Sequence, residues 1–297
     1  MFPFMVFSFV PELDFSIIIV SYNVKDLLKR CLKSIFDFQK ELRFEVVVVD
    51  NHSEDQSTKM LKGDFPNVNL IENHKNMGFS AACNQGIKRS RGRYVLLLNP
   101  DTEFTPGGIN KIIQFIDSNP HIGICGPKMV DPEGKLQFSA RSFPSYLTAI
   151  SSRQSILNRF FPDNPLSRKY LLKDLNRNQS KEVDWVSGSG LLTRRDVLEK
   201  VGFLDERFFM YVEDIDFCYR AKQAGFSVHY FPHSVVIHHI GKSTRRKKTK
   251  MLLEHHRSMY LFYKKHHQRH FFLSGIVFFG IWIRLGLSVW TNSIVKE

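Results

Sequence analysis

Three short apolar runs constrain this chain most: SIIIVS at residues 16–21, EVVVV at 45–49 and YVLLL at 94–98. A strand with one face in water alternates apolar and polar residues. A run that is apolar at every position has to bury both faces, as strands do in parallel sheets covered by helices on each side. Between the runs the period changes to that of a helix. Residues 25–38 place Leu27, Leu28, Cys31, Leu32, Ile35 and Phe38 on one face, with Asn23 as the expected cap. Helical spacing is also predicted over 79–90, 105–118, 195–201 and 213–224, and strands over 68–71, 122–125, 228–231 and 235–238. The alternation implies an α/β fold with a mostly parallel central sheet flanked by helices.

In such sheets ligands bind beyond the carboxyl ends of the strands. The polar residues collect there: Ser21-Tyr22-Asn23 after the first run, Asp50-Asn51 after the second and Asn99-Pro100-Asp101 after the third. Neither a GxxxxGK[ST] loop nor a GxGxxG following a strand occurs, which disfavours a P-loop enzyme and a dinucleotide dehydrogenase. Acidic residues at strand ends suit recognition of a base or ribose and metal-assisted handling of a diphosphate.

The four cysteines (Cys31, Cys83, Cys125, Cys218) form no CxxC pair, so neither a zinc site nor a disulfide framework is suggested. Charge is unevenly spread. Residues 242–270 hold ten Lys and Arg against the single acid Glu254, most of the net +13 of the chain. Such a block needs an anionic partner or a solvated face. It is followed by FFLSGIVFFGIWIRLGLSVWTNSIV at 271–295, broken by Arg284. A basic block beside an apolar helix points to an anionic membrane surface rather than to nucleic acid, for which no stacking platform is present. An interfacial helix is the first expectation; a single span and a buried core helix are the alternatives.

The expected organisation is an N-terminal extension at 1–14, an α/β domain at 15–243, a basic helical segment at 244–270 and an apolar membrane-associated helix at 271–297. The α/β domain carries an irregular insertion at about 139–181, where Pro144, Pro162 and Pro165 interrupt any period. The extension has neither a cationic start nor a small-residue cleavage site, so no signal peptide is read there.

Taken in order, SIIIVSYN, VVVVDNHSEDQS, NMGFSAACNQGI, YVLLLNPDTEFTP, GSGLLTRRDVLEKVGFLDERFFMYVEDIDFCYRAKQAGF and VIHHIGKS resemble glycosyltransferase family 2, in particular its bacterial rhamnosyltransferase-like branch. The resemblance spans about residues 15–243 and implies a GT-A fold, a nucleoside-diphosphate-sugar donor and inversion at the anomeric carbon. It implies donor contacts from Ser21, Asn23, Asp50 (to the imide of a uracil or thymine), Asn51, Gly78 and Asn84. Asn99 stands where the family's DxD motif has its first acid. Asp101, with His238 of the HHIGKS element, would bind a divalent cation, Mg²⁺ or Mn²⁺, on the donor diphosphate. Ser243, with Lys242 and Arg245, would close over that diphosphate. Asp214 matches the general base and Glu213 beside it would orient the acceptor.

Placed at a helix start, Asp214 is expected to be ionised. Trp185 and residues 187–190 resemble an acceptor-side wall, with a simple core role equally open for Trp185. Asp216 is best explained by an i,i+4 pair with Arg220. The expected activity is transfer of a sugar, rhamnose from dTDP-rhamnose as the first choice, to a polyprenyl-linked saccharide acceptor at the cytoplasmic face of the cell membrane, in cell-surface polysaccharide synthesis. The alternative is a non-catalytic nucleotide-sugar-binding scaffold of a polysaccharide assembly complex. Nucleotidyl transfer is set aside because no basic, glycine-rich loop follows the first strand.

Overall fold

Alternate residues of each apolar run go to opposite faces of one sheet. Ile17, Ile19, Val46, Val48, Leu96 and Leu98 enter one hydrophobic cluster, while Ile18, Val20, Val47, Val49, Val95 and Leu97 enter the other. That two-sided burial is why no polar residue interrupts the runs. The computed structural model describes residues 13–38, 42–145, 164–239, 248–267, 275, 278–283 and 285–286 of the chain.

The first half follows the expected alternation: β1 (Phe15–Ser21), α1 (Lys25–Phe38), β2 (Phe44–Asp50), α2 (Ser57–Asp64), β3 (Asn69–Glu72), α3 (Phe79–Arg89), β4 (Tyr94–Leu98), β5 (Thr102–Phe104), α4 (Gly108–Asp117) and β6 (Ile122–Val130). The second half is more broken: β7 (Leu136–Gln137), β8 (Ala140–Arg141), α5 (Pro165–Leu171), β9 (Lys181–Val183), β10 (Trp185–Val186), β11 (Gly190–Arg194), α6 (Arg195–Val201), α7 (Glu213–Gln223), β12 (Ser227–His238) and α8 (Lys248–His266). The sheet order is β3-β2-β1-β4-β11-β6-β12-β5. Strands β3, β2, β1 and β4 are parallel, and β11 runs against both its neighbours. Residues of α1 and α4 cover one face, and residues of α3, α6 and α7 the other.

Two expectations change. Residues 228–231 and 235–238 belong to one strand, β12, whose register against β6 shifts between Phe231 and Val235. The flanks of the 139–181 insertion are ordered: β8 pairs with β10, and α5 is capped by Asn164, whose Oδ1 accepts from the Ser167 N–H at 3.0 Å. Two-residue strands and a seven-residue helix are too short for periodicity to reveal. Residues 146–163 lie outside the described residues. In the basic segment, residues 248–266 are helical. Of the apolar 271–297 stretch, residues 278–283 are helical, and Ile281 packs on Tyr263 of α8.

Ile19 is fully buried in the face covered by α1 and α4. Ile19→Ala is expected to lower the unfolding free energy by about 2–5 kcal/mol, from lost transfer energy plus the cavity, as measured by urea denaturation.

Candidate active site

Parallel pairing in register sets Ser21 opposite Asp50, and Asp50 opposite Glu72. Asp50 is buried, and its Oδ1 accepts from the Ser53 N–H at 2.8 Å. Its Oδ2 and the Ser21 Oγ are buried without a hydrogen-bond partner among the described residues. An unpaired buried polar atom costs about 1–3 kcal/mol. Two of them side by side at a strand end fit the polar edge of a bound ligand.

The neighbouring asparagines are braces. Asn23 adopts a left-handed backbone (φ 54°), which asparagine tolerates. Its Oδ1 accepts from the Glu54 N–H at 2.7 Å, and its own N–H donates to the Ser53 Oγ at 2.9 Å. The α1 start is therefore capped across the loop by Asp55, which accepts from the Lys25 N–H at 2.7 Å, and not by Asn23. Asn51 donates to the Gly78 carbonyl at 3.1 Å and accepts from Asn73 at 2.9 Å. Asn84 donates to the Leu204 carbonyl and to Glu206, both at 2.9 Å, and accepts from the Leu204 N–H at 3.1 Å. Both amide protons of Asn84 thus hold the 204–206 loop rather than a nucleotide. Gly78 (φ 86°) does need to be glycine, because a Cβ there would lie 2.6 Å from the Phe209 carbonyl oxygen. The close approach it permits is by the 208–212 loop: the Phe79 N–H donates to that same oxygen at 2.6 Å.

Asp101 and His238 meet at the other end of the strand edge. The Asp101 carboxylate is buried, with the His238 Nε2 3.4 Å from its Oδ1. Gln137 fixes the imidazole. Its Nε2 donates to the His238 carbonyl at 2.7 Å, so its Oε1 faces the His238 Nδ1 at 2.9 Å and takes that proton. Held this way, the ring turns its Nε2 toward a carboxylate oxygen. A hard oxygen and an imidazole nitrogen, with the ring oriented by a third residue, suit a divalent cation. Among the described residues no group of three or more His, Cys, Asp and Glu could hold a metal by itself, so Asp101 and His238 would need further ligands, such as oxygens of a bound molecule. Asn99 is half-buried beside this pair; its N–H donates to the Ser189 carbonyl at 3.2 Å. Ser243, Lys242 and Arg245 lie outside the described residues.

Glu213 and Asp214 open α7 after two consecutive left-handed residues, Tyr211 (φ 69°) and Val212 (φ 71°). Such backbone costs of order 1–3 kcal/mol per residue, so the turn has to be held. The Ser258 Oγ of α8 donates to the Met210 carbonyl at 3.0 Å, and the Phe79 N–H holds Phe209 from the other side. The Asp214 Oδ2 accepts from the Gly188 N–H at 2.9 Å, and its Oδ1 from the Ile215 N–H at 2.8 Å. Burial raises its carboxyl pKa nonetheless, against the pull of those N–H groups and of the Arg141 charge. Desolvation thus outweighs the favourable helix terminus at this carboxyl. Burial and the Asp214 charge push Glu213 well above the usual carboxylate range, and its Oε2 is buried without a partner.

The predicted pair of Asp216 with Arg220 is present at 2.8 Å, and two residues of α8 join it: Lys265 at 2.8 Å and His266 at 2.7 Å, both on Oδ1. Burial pushes this carboxyl up, but the hydrogen bonds from His266 and Lys265 and the Arg220 charge outweigh it and hold the pKa below its usual value. Part of the basic block therefore faces inward, onto α7. Lys250, Arg257 and Lys264 remain exposed.

Asn99, Glu213, Asp214 and His238 line one cleft of about 730 Å³, together with Ser187–Ser189 and, unforeseen, Arg141, Gln137 and residues of α8. Trp185 serves both core and wall: it is buried, lines the cleft, and donates from Nε1 to the Ser142 carbonyl at 2.8 Å. Ser21 and Asp50 sit on the neighbouring strand ends. No sequence signal marked Gln137 or Arg141, since both lie in or next to the stretch without a period.

A mostly parallel sheet with acids at its carboxyl edge and a carboxylate pair at a helix start defines a GT-A-like α/β protein. Residues 16–202 match the model of Glycosyl transferase family 2, and the chain belongs to that family. It is 35% identical over 191 residues to the N-acetylglucosaminyl-diphospho-decaprenol L-rhamnosyltransferase of Mycobacterium tuberculosis (strain CDC 1551 / Oshkosh), covering 61% of each chain. It is 29% identical over 153 residues to the rhamnosyltransferase WbbL of Escherichia coli (strain K12), covering 51% of this chain and 54% of that one. The chain thus spans between half and two thirds of the length of these relatives. In fold it is similar to the mannosyltransferase PcManGT from Pyrobaculum calidifontis in complex with GDP-Man and Mn²⁺ (TM-score 0.59, 14% identity, 96% of this chain and 75% of that one). It is also similar to GalNAc-T7 with UDP, GalNAc and Mn²⁺ (TM-score 0.58, 16% identity, 76% of this chain and 44% of that one).

Two outcomes follow for stability. An acid whose folded pKa is raised keeps its proton in the folded protein while the unfolded chain ionises. Glu213 therefore destabilises the fold increasingly as pH rises from the unfolded carboxylate range to its folded pKa. Glu213→Gln is expected to raise the thermal midpoint at neutral pH, with the gain shrinking toward pH 4–5; a gain independent of pH would contradict this. Asp216→Asn leaves its basic partners without their shared carboxylate. It is expected to cost about 3 kcal/mol and to speed amide hydrogen exchange in α8.

Proposed function

We propose that this protein is an inverting glycosyltransferase that moves a sugar from a nucleoside-diphosphate donor to a lipid-linked saccharide acceptor. The observation that carries the reading is the Asp214 carboxylate, fixed by the Gly188 and Ile215 N–H groups in the same cleft as Asn99 and His238. Ser21 and Asp50 would take the polar edge of the donor base. Asp101 and His238 would hold a divalent cation, Mg²⁺ or Mn²⁺, which when bound neutralises charge on the departing diphosphate. Asp214 accepts the proton of the acceptor hydroxyl as that oxygen bonds to the anomeric carbon and the bond to the diphosphate oxygen breaks on the opposite face. Its raised pKa brings a carboxylate closer to the strength that general-base catalysis near neutral pH favours. Glu213, kept protonated, keeps a second negative charge away from that base.

Similarity to two rhamnosyltransferases makes dTDP-rhamnose the first donor to test, and the diphospho-decaprenol in one relative's name makes a polyprenyl-diphosphate saccharide the first acceptor. The setting would be cell-surface polysaccharide synthesis at the cytoplasmic face of the membrane. Phe279 (65% exposed) and Ile283 (63%) project from the 278–283 helix while Ile281 docks on α8, a pattern suited to peripheral attachment through apolar residues and headgroup charge. Among the described residues no helix is long and apolar enough to cross a membrane.

Nucleotide release from a panel of UDP-, GDP- and dTDP-sugars tests the reading. One donor is expected to be turned over, with loss on adding EDTA. Asp214→Asn should lower kcat by about 10²–10⁴-fold with the donor KM little changed. The wild-type rate should climb with pH through an apparent pKa above the usual aspartate range, then level off, because only the ionised base accepts a proton. Donor binding without turnover at any pH would favour the scaffold reading instead.

A further inference from the structure

We propose that Arg141 is an anion-recognition residue in the acceptor half of the cleft, placed to take the phosphate that links an acceptor sugar to its lipid. The inference rests on the glycosyl-transfer reading above and adds the residue that would distinguish a phosphate-linked acceptor from a plain glycoside.

Arg141 is half-buried and lines the cleft. On β8 it pairs with Trp185 of β10, and its guanidinium lies over the Trp185 ring at 5.2 Å and near the Tyr170 ring at 5.7 Å. Its Nε donates to the Phe138 carbonyl at 2.8 Å. The fork is therefore held in plane, while its two Nη groups make no hydrogen bond to the described residues and no carboxylate pairs with it among them. Other partly buried arginines behave differently. Arg177 directs its Nη groups to the carbonyls of Ala140, Leu171 and Leu172, and Arg220 bonds Asp216 and three carbonyls. Burial lowers the basicity of Arg177, and the like charge of Arg141 adds to this.

The acid that feels Arg141 is Asp214. The chain explains why: β10 leads from Trp185, the strand partner of Arg141, to Gly188, whose N–H holds the Asp214 carboxylate. An acceptor ring with its attacking hydroxyl at Asp214 carries its anomeric substituent on another edge. A phosphate on that edge would meet a planar, preorganised guanidinium, the group suited to bidentate phosphate contact. Trp185, beneath the fork, lines the same cleft.

The test compares two acceptors with the same sugar, N-acetylglucosamine: one linked through diphosphate to a short isoprenoid chain, the other an octyl glycoside without phosphate. Affinities are measured by calorimetry with the donor subsite filled by nucleoside diphosphate and Mn²⁺, so turnover is not required. The wild type should bind the diphosphate acceptor about tenfold or more tightly than the glycoside. Arg141→Gln should lose that preference while its affinity for the glycoside and for the nucleotide is unchanged, which also reports that the variant is folded. Arg141→Lys, which keeps the charge but not the fork, should fall between. A wild type without preference, or an Arg141→Gln variant that keeps it, overturns the proposal. Nucleotide release by the wild type and Asp214→Asn scores the glycosyl-transfer reading independently, so either can fail alone.

Discussion

The structure depends on the burial of β1, β2 and β4 on both faces. Strands that must hide every side chain can pair in parallel only with helices above and below, and the helices then set the direction of each connection. Pairing in register brings all three strands to an end at one edge. Ser21, Asp50 and Asn99 arrive together because the apolar runs before them have matching lengths and registers. Polar atoms that would be costly inside the sheet collect where a ligand can satisfy them, and the Asp50 Oδ2 and Ser21 Oγ await such partners.

The Glu213-Asp214 pair stands on a different principle. Both are presented by a strained turn, and that turn is kept in place from outside the strand-helix core, by Gly78-Phe79 on one side and by α8 on the other. The buried Asp216, gripped by Arg220, Lys265 and His266, ties α8 to α7 two residues on from Asp214. A carboxylate below the usual range at Asp216 and carboxyls raised at Glu213 and Asp214 thus share one short helix. Cationic partners hold the first down, and burial raises the other two.

The segment at 244–270 has a double character for the same reason. Its cations are too many to be neutralised within the fold, yet Lys265 and His266 are structural. Met259 and His255 reach the cleft, while Tyr260 and Tyr263 seat the 278–283 helix. One helix therefore joins the cleft to the apolar residues proposed to meet the membrane.

The sequence by itself determined the sheet, its first-half order of strands and helices, and the polar edge at Ser21, Asp50, Asn99 and Asp101. Continuous apolar runs and 3.6-residue spacing are local signals, and burial on two faces leaves few topologies open. The resemblance also singled out Asp214 and His238, which lie beyond the residues matched by the family model. Only the tertiary structure decided what these groups touch. Asn51 and Asn84 became braces because their partners come from distant loops. Asp214 acquired a raised pKa because desolvation depends on what packs around it, not on its place at a helix start. Gln137 and Arg141 came to the cleft through β-pairings too short to leave a period in the chain. Hydrogen bonding and desolvation are set by neighbours remote in sequence, and those neighbours exist only once the chain has folded.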